Sequence, residues 1–180
     1  MKIERVELHR LSLQYVHPFE TSFGRETGRE LILVAISAGG MTGWGECVAG
    51  AAPWYAYETV GTAWHVLENF LIPALLGEYV ETPADVVARF RRVRGHAMAR
   101  AGLENAFWDL LARVQGVSLA AMLGGTRQRV AVGVSVGIEA TLDALLDRVA
   151  LHVDEGYARV KLKIKPGWDV DVVSTVREIW

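Results

Sequence analysis

The sequence has little of what disulfide frameworks, zinc sites and membrane spans require. Its only cysteine is Cys47, which excludes an internal disulfide and a cysteine-rich zinc site. No run of about eighteen apolar residues occurs, and the first residues mix charged and apolar side chains instead of placing a cationic segment before an apolar one. We therefore expect no membrane span and no signal peptide, and we expect a reducing, cytoplasmic setting.

An excess of charge of one sign is also lacking. The 19 basic and 21 acidic residues give a formal net charge of -2, and the basic residues between 89 and 94 form only a short group. Nucleic acid is therefore not expected as a partner. None of the five histidines pairs with another at the spacing of a helical zinc motif. What the chain does have is apolar surface, because 51% of its 180 residues are hydrophobic, which predicts a globular fold with a sizeable core.

The first fifty residues show the two-residue alternation of β-strands. Residues 3–13 and 30–37 predict two strands, Gly39-Gly40 predicts a tight turn, and residues 41–48 predict the return strand of an antiparallel meander. Residues 18–29, between the first two strands, exceed a hairpin turn, so we expect a loop there. Phe19 and Phe23 in this loop need apolar cover, which is typical of a lid or binding loop.

From about residue 55 the apolar spacing becomes helical. It predicts a helix that ends near residues 73–77, a second helix capped by Thr82, and a third over residues 97–114 that ends at Gly116. One face of the first helix carries Val60, Trp64, Leu67 and Leu71. The spacing and the composition both change at Gly124-Gly125. We therefore predict two domains, residues 1–125 and 126–180.

Residues 126–180 read as strand, helix, strand, helix. The strands are expected at 130–138 and 158–164, with one helix from Thr141 to Asp154 and another that begins after Asp169. Strands joined by single helices of this length form βαβ units in a parallel sheet. The predicted fold class is an α+β domain followed by the start of a βα barrel or parallel sheet.

Three lysines alternate along the second of these strands. Lys161, Lys163 and Lys165 share one face of the strand, while the aliphatic residues between them share the other. An edge strand with a solvated lysine face would explain the pattern. In a barrel, however, the lysines would point to the interior, where lysines near the carboxyl end of a strand reach the active-site face. A lysine crowded by another cation gives up its proton more readily and can act as a base, whereas Lys165, at the end of the strand, is expected to be solvated.

Two other residues are candidates for chemistry. Ser135 lies in a G-x-S-x-G pattern, but a nucleophile elbow needs a sharp turn from strand to helix, and here the valine-rich run continues past the serine. A pocket-lining hydroxyl or simple strand packing explains Ser135 better. Cys47 has no histidine or lysine near it in the sequence and is expected to be a small core residue.

The ordered motifs of the chain resemble the N-terminal part of enolase-superfamily enzymes, and in particular the branch of o-succinylbenzoate synthase and N-acylamino acid racemase. The resemblance covers essentially all 180 residues. It rests on Gly43-Trp44-Gly45-Glu46, the helix at 101–110, the junction Leu123-Gly124-Gly125, the strand with Ser135, and the run from Lys161 to Asp169.

This resemblance implies a capping domain over residues 1–125 and the first two βα units of a (β/α)₇β barrel over residues 126–180. It implies Mg²⁺-dependent abstraction of a proton α to a carboxylate through an enediolate, as in menaquinone-pathway dehydration or in racemisation. Lys163 matches the acid/base lysine, Lys161 the neighbour that contacts the carboxylate, Ser135 a substrate contact, and Phe19 and Phe23 a mobile loop over the substrate.

The family's acidic metal ligands have no match in the chain. The resemblance places them beyond Trp180, so the 180 residues alone are expected to be inactive. It also implies a small-molecule carboxylate substrate and a homo-oligomer at full length. A dipeptide epimerase or a muconate cycloisomerase of the same superfamily, a non-catalytic module that assembles with another chain, and a serine esterase remain as alternatives.

Overall fold

Three antiparallel strands open the fold, as the alternation of the sequence predicts. The computed structural model describes all of residues 1–180 and orders these strands β1 (Arg5–Thr21), β2 (Gly24–Ala38) and β3 (Met41–Cys47) in one sheet. A parallel two-stranded sheet follows, made of β4 (Val134–Val136) and β5 (Val160–Leu162). The six helices are α1 (Val60–Val66), α2 (Pro83–Phe90), α3 (Ala97–Gln115), α4 (Leu119–Met122), α5 (Leu142–Asp154) and α6 (Val170–Ile179). None of these helices combines the length and the apolar character that crossing a membrane requires.

The chain forms two compact units. The first unit comprises residues 1–13 and 29–126, and the second comprises residues 14–28 and 127–180. The second unit thus contains the far end of the β1–β2 hairpin as well as the two βα units. The division into domains at residue 125 stays a prediction.

In the first unit, α3 packs directly on β3 through small residues. A Cβ on Gly43 or Gly45 would overlap the α3 backbone near Ala106, and a Cβ on Gly102 of α3 would lie 3.0 Å from the Cβ of Cys47. The glycines in Gly43-Trp44-Gly45-Glu46 therefore serve close packing of a helix on a strand. A continuous apolar core surrounds this contact, and it includes Ile32, Ile36, Leu103, Phe107 and Leu110.

The predicted turn and helix ends are confirmed at several positions. Gly39 and Gly40 both have positive φ, at 56° and 77°, as a two-residue hairpin turn requires. Thr82 caps α2 in a reciprocal capping box with Asp85, and Pro83 occupies the first helical position. Gly116 ends α3 in the left-handed conformation, with φ 66°.

Two local predictions need correction in the helical and hairpin regions. The helix that begins at Val60 does not stay α-helical to Leu71, because residues Leu67–Leu71 form a π-helical turn in which the Ile72 N–H donates to the Leu67 carbonyl over 2.9 Å. The expected loop at 18–29 is a hairpin instead, since β1 runs to Thr21 and β2 begins at Gly24. The two extended strands pair the backbone N–H and C=O groups of one segment with those of the other, whereas an irregular loop of that length would leave these groups without such partners.

In the second unit, α5 and α6 pack on one face of the β4–β5 sheet. Its buried core consists of Val136, Leu145, Val149 and Val172. The strands are shorter than the sequence pattern predicts, because each pairs over three residues with the other strand and has no second neighbour. Outside the ladder, Val130 and Val132 are 67% and 61% exposed.

Candidate active site

The parallel register of β4 and β5 brings Ser135 and Lys161 together. Their Cα atoms are direct partners across the ladder, so their side chains share one face of the sheet. Val160 and Leu162 contact the helix-covered core on the opposite face. Ser135 and Lys161 are both exposed on their face. The predicted segregation of the strand into an aliphatic face and a lysine face is thus present in the structure.

Lys163 lies just past the end of β5 and continues the same pairing. Its N–H donates to the Val136 carbonyl over 2.9 Å, which carries the parallel ladder one step beyond the strand. Its half-buried side chain reaches the aromatic ring of Phe19, and Nζ lies 5.7 Å from the ring centroid. At that distance an ammonium group gains a cation–π attraction. Lys161, Lys163, Ser135 and Phe19 thus line one side of the second unit.

The hairpin end supplies Phe19 through a close approach of two backbones. The Ile138 N–H donates to the Glu20 carbonyl over 2.9 Å. A Cβ on Gly137 would lie 3.1 Å from the Glu20 nitrogen and 3.4 Å from Cδ2 of Phe19, so glycine permits this approach. Phe23, in contrast, lies at the hairpin turn with 74% of its surface exposed. The structure therefore brings Phe19, and not Phe23, to the lysines.

Glu20 is a residue of this site that the sequence reasoning missed. Its Oε1 lies 2.9 Å from Nζ of Lys165, so the lysine that the sequence predicts to be solvated is exposed and is also ion-paired. The two residues are 145 positions apart, and no local pattern marks either of them as a partner.

The carboxylates of residues 1–180 do not assemble a magnesium site. No group of three His, Cys, Asp or Glu side chains lies close enough together to hold a metal ion. Asp169 instead caps α6, with its Oδ1 accepting from the Val170 N–H over 2.9 Å. Mg²⁺ prefers an octahedral set of oxygen ligands, which the donors present here do not supply.

The two candidate nucleophiles, Ser135 and Cys47, lie in surroundings that serve the fold and do not activate a nucleophile. Ser135 lies inside a strand, with valines on both sides, and lacks the strand-to-helix turn of a nucleophile elbow. Cys47 is fully buried in the core of the first unit, and burial raises the pKa of its thiol.

Comparison with known proteins agrees with this geometry. Residues 5–124 match the family model for the N-terminal domain of mandelate racemase / muconate lactonizing enzyme. The chain is 48% identical to an o-succinylbenzoate synthase from Geobacillus kaustophilus, over 98% of this chain and 48% of that protein. It is also 48% identical to an N-succinylamino acid racemase from an Amycolatopsis species, over 99% of this chain and 48% of that protein.

A solved structure shows the same fold. A crystal structure of an enolase-superfamily member from Enterococcus faecalis superimposes with a TM-score of 0.87 at 42% identity, and the match covers 100% of this chain and 49% of that one. The chain thus spans about half the length of the relatives it matches. The resemblance inferred from the motifs is confirmed: the chain belongs to the mandelate racemase / muconate lactonizing enzyme family of the enolase superfamily.

Proposed function

We propose that the protein abstracts a proton α to a carboxylate, as an o-succinylbenzoate synthase, an N-acylamino acid racemase or both, and that Lys163 is its base. One observation carries the proposal. In the β4–β5 register Ser135 lies beside Lys161, and Lys163 follows just past the end of β5 with its Nζ 5.7 Å from the centroid of the Phe19 ring. A small acid bound here would thus find four groups close together: Lys163 as a base, Lys161 as a cation, the Ser135 hydroxyl, and the Phe19 ring as apolar cover.

Each residue then has a distinct role. The unprotonated amine of Lys163 takes the α-proton and becomes an ammonium group. The Lys161 ammonium pairs with the substrate carboxylate, on which negative charge increases as the enediolate forms, and the Ser135 hydroxyl donates a hydrogen bond to the substrate. Phe19 excludes water from the lysines when substrate is bound. We include Phe23 only as a residue that contacts larger substrates, because it lies at the exposed hairpin turn.

We further propose that the enediolate requires Mg²⁺ whose ligands lie outside residues 1–180. The oxygen donors within these residues form no such set. The proposal predicts that a chelator abolishes turnover by the whole protein and that added Mg²⁺ restores it. Activity that persists without a divalent ion would contradict it.

The domain division and the assembly follow as parts of the same proposal. Residues 1–125 form the capping domain and residues 126–180 begin the barrel, in a homo-oligomer that binds a small carboxylate in the cytoplasm. The relatives' names include both a synthase and a racemase. In the proposed mechanism, dehydration and racemisation share one enediolate, so the residues described here serve either reaction. Assays with a dehydration substrate and a panel of N-acylamino acids would distinguish the two, and dipeptides and muconate would test the alternatives.

The decisive experiment measures exchange of the α-proton. In D₂O, the whole protein should replace the α-proton of an N-succinylamino acid with deuterium, which ¹H NMR follows directly. We expect Lys163→Ala to reduce this rate by about 10²–10⁴-fold, the usual contribution of a general base. Lys2→Ala, which removes the one lysine outside residues 161–165, is the matched control and should leave the rate unchanged. Full exchange activity in Lys163→Ala would refute the proposal.

A further inference from the structure

One residue at the end of the β1–β2 hairpin, Glu20, makes two different contacts with the segments that follow β4 and β5. The Glu20 carbonyl accepts from the Ile138 N–H over 2.9 Å, and the Glu20 carboxylate pairs with Lys165 over 2.9 Å. The backbone contact joins the hairpin to the segment after β4. The ion pair joins it to the segment after β5. Glu20 therefore connects the hairpin to the carboxyl ends of both strands.

The residue before Glu20 is the one that covers the proposed base. Phe19 places its ring 5.7 Å from Nζ of Lys163, while Lys165 lies two positions further along the same strand segment. The two neighbouring hairpin residues thus contact two lysines of the same alternating series. If the Glu20–Lys165 pair is lost, the contact between Phe19 and Lys163 loses one of the attachments that hold the ring in place.

The ion pair between Glu20 and Lys165 is partly exposed to solvent, so it is a weak attachment. Its side chains are 27% exposed for Glu20 and 44% exposed for Lys165, so water and salt reach both charges. The backbone contact is close, since a Cβ at Gly137 would lie 3.1 Å from the Glu20 nitrogen. An ion pair of this exposure shifts an equilibrium by up to about fivefold. That is enough to bias docking of the hairpin end without locking it.

We propose that Glu20 and Lys165 are positioning residues, whose ion pair docks the hairpin end so that Phe19 covers Lys163 during proton transfer. This inference rests on the proposed function, since it assigns Lys163 as the base. It gives Lys165 a role that is neither that of the base nor that of a free surface charge.

Two measurements on the whole protein test the inference, one of them independent of activity. In Glu20→Gln and in Lys165→Gln, hydrogen exchange at the Ile138 amide should become about three- to fivefold faster, because its acceptor is docked for less of the time. The rate of α-proton exchange in D₂O should fall in the same variants by up to about 1.7-fold, because a fivefold shift of the docking equilibrium that speeds amide exchange threefold leaves that factor for the loss of the docked fraction. The charge-swapped double variant Glu20→Lys with Lys165→Glu should return amide exchange at Ile138 to within about 1.5-fold of wild type and restore the wild-type rate of α-proton exchange.

Glu26→Gln is the matched control, since Glu26 lies on the same hairpin and its carboxylate accepts from the Tyr15 hydroxyl over 3.3 Å instead of pairing with a lysine. It should change neither measurement. Single variants that keep wild-type exchange at Ile138 and wild-type activity would overturn the inference while leaving the proposed function intact, as would a double variant that fails to recover. A wild-type protein without α-proton exchange would instead refute the proposed function, and this inference with it.

Discussion

Glu58 provides the sharpest test of how the first unit is held together. It is 3% exposed, and its carboxylate accepts two hydrogen bonds from the start of α3, from the Met98 N–H over 2.9 Å and from the Ala99 N–H over 3.1 Å. The first N–H groups of a helix have no partner within the helix. His96, at the N-cap position of α3, provides no side-chain hydrogen bond to the helix. Glu58 therefore caps α3 from a distant part of the chain.

The two hydrogen bonds set how much free energy of unfolding is lost when the Glu58 carboxylate is removed. A hydrogen bond to a charged acceptor contributes about 1.5–3 kcal/mol, and a buried N–H left without a partner costs about 1–3 kcal/mol. These figures overlap, since both describe the loss of the same contacts, and the Met98 amide is only partly buried. We expect Glu58→Ala to lower the free energy of unfolding by about 3–5 kcal/mol. Glu58→Gln should lie between, because its amide keeps one acceptor but turns an NH₂ group toward the second N–H.

Urea denaturation followed by tryptophan fluorescence measures this change. With a slope of about 2 kcal/mol/M, the midpoint of Glu58→Ala should fall by about 1.5–2.5 M. Glu68→Ala is the control, since Glu68 is an exposed glutamate of the same unit, and it should stay within about 0.5 kcal/mol of wild type. A midpoint for Glu58→Ala that equals the midpoint for Glu68→Ala would refute the reasoning.

Three further predictions concern single positions in the first unit. Gly45→Ala should destabilise the fold by about 1–3 kcal/mol or more, because the added Cβ would overlap the α3 backbone. Gly61→Ala in α1 is the control and should not destabilise the fold, because the nearest atom to the added Cβ is Thr59 Oγ1 at 3.8 Å. Thermal melts of the two variants make the comparison. Hydrogen bonds from Thr82 hold the pKa of Asp85 below its usual range, so Asp85→Asn should lower stability near pH 7, and its difference from wild type should shrink as the pH falls below about 4. A difference that grew in acid would contradict that sign. Cys47 has no solvent-exposed surface, and burial also raises the pKa of its thiol. Its thiol should therefore react with a disulfide reagent at pH 8 only as fast as the protein unfolds, and rapid labelling of the folded protein would contradict this.

Helix ends and tight turns could be predicted from the sequence wherever the backbone conformation of a position favours one residue type. Thr82 with Pro83, Gly39 with Gly40, and Gly116 were each identified by chemistry that acts within a few residues. The hairpin at 18–29 is not predictable in this way, since the extended state of its arms depends on their pairing with each other and not on local propensity. The π-helical turn after Val66 likewise had no mark in the apolar spacing.

The sequence by itself determined the family, the order of strands and helices, and the alternating lysines, because motif order and side-chain periodicity are properties of the chain alone. It also determined that Lys161 and Lys163 share a face, since strand geometry alternates with a period of two. Only the tertiary structure decided that Ser135 is the partner of Lys161, that Phe19 and not Phe23 covers Lys163, and that Glu20 pairs with Lys165. These contacts join segments far apart in sequence, and their formation depends on strand register and on the space left by Gly137, which no local pattern specifies.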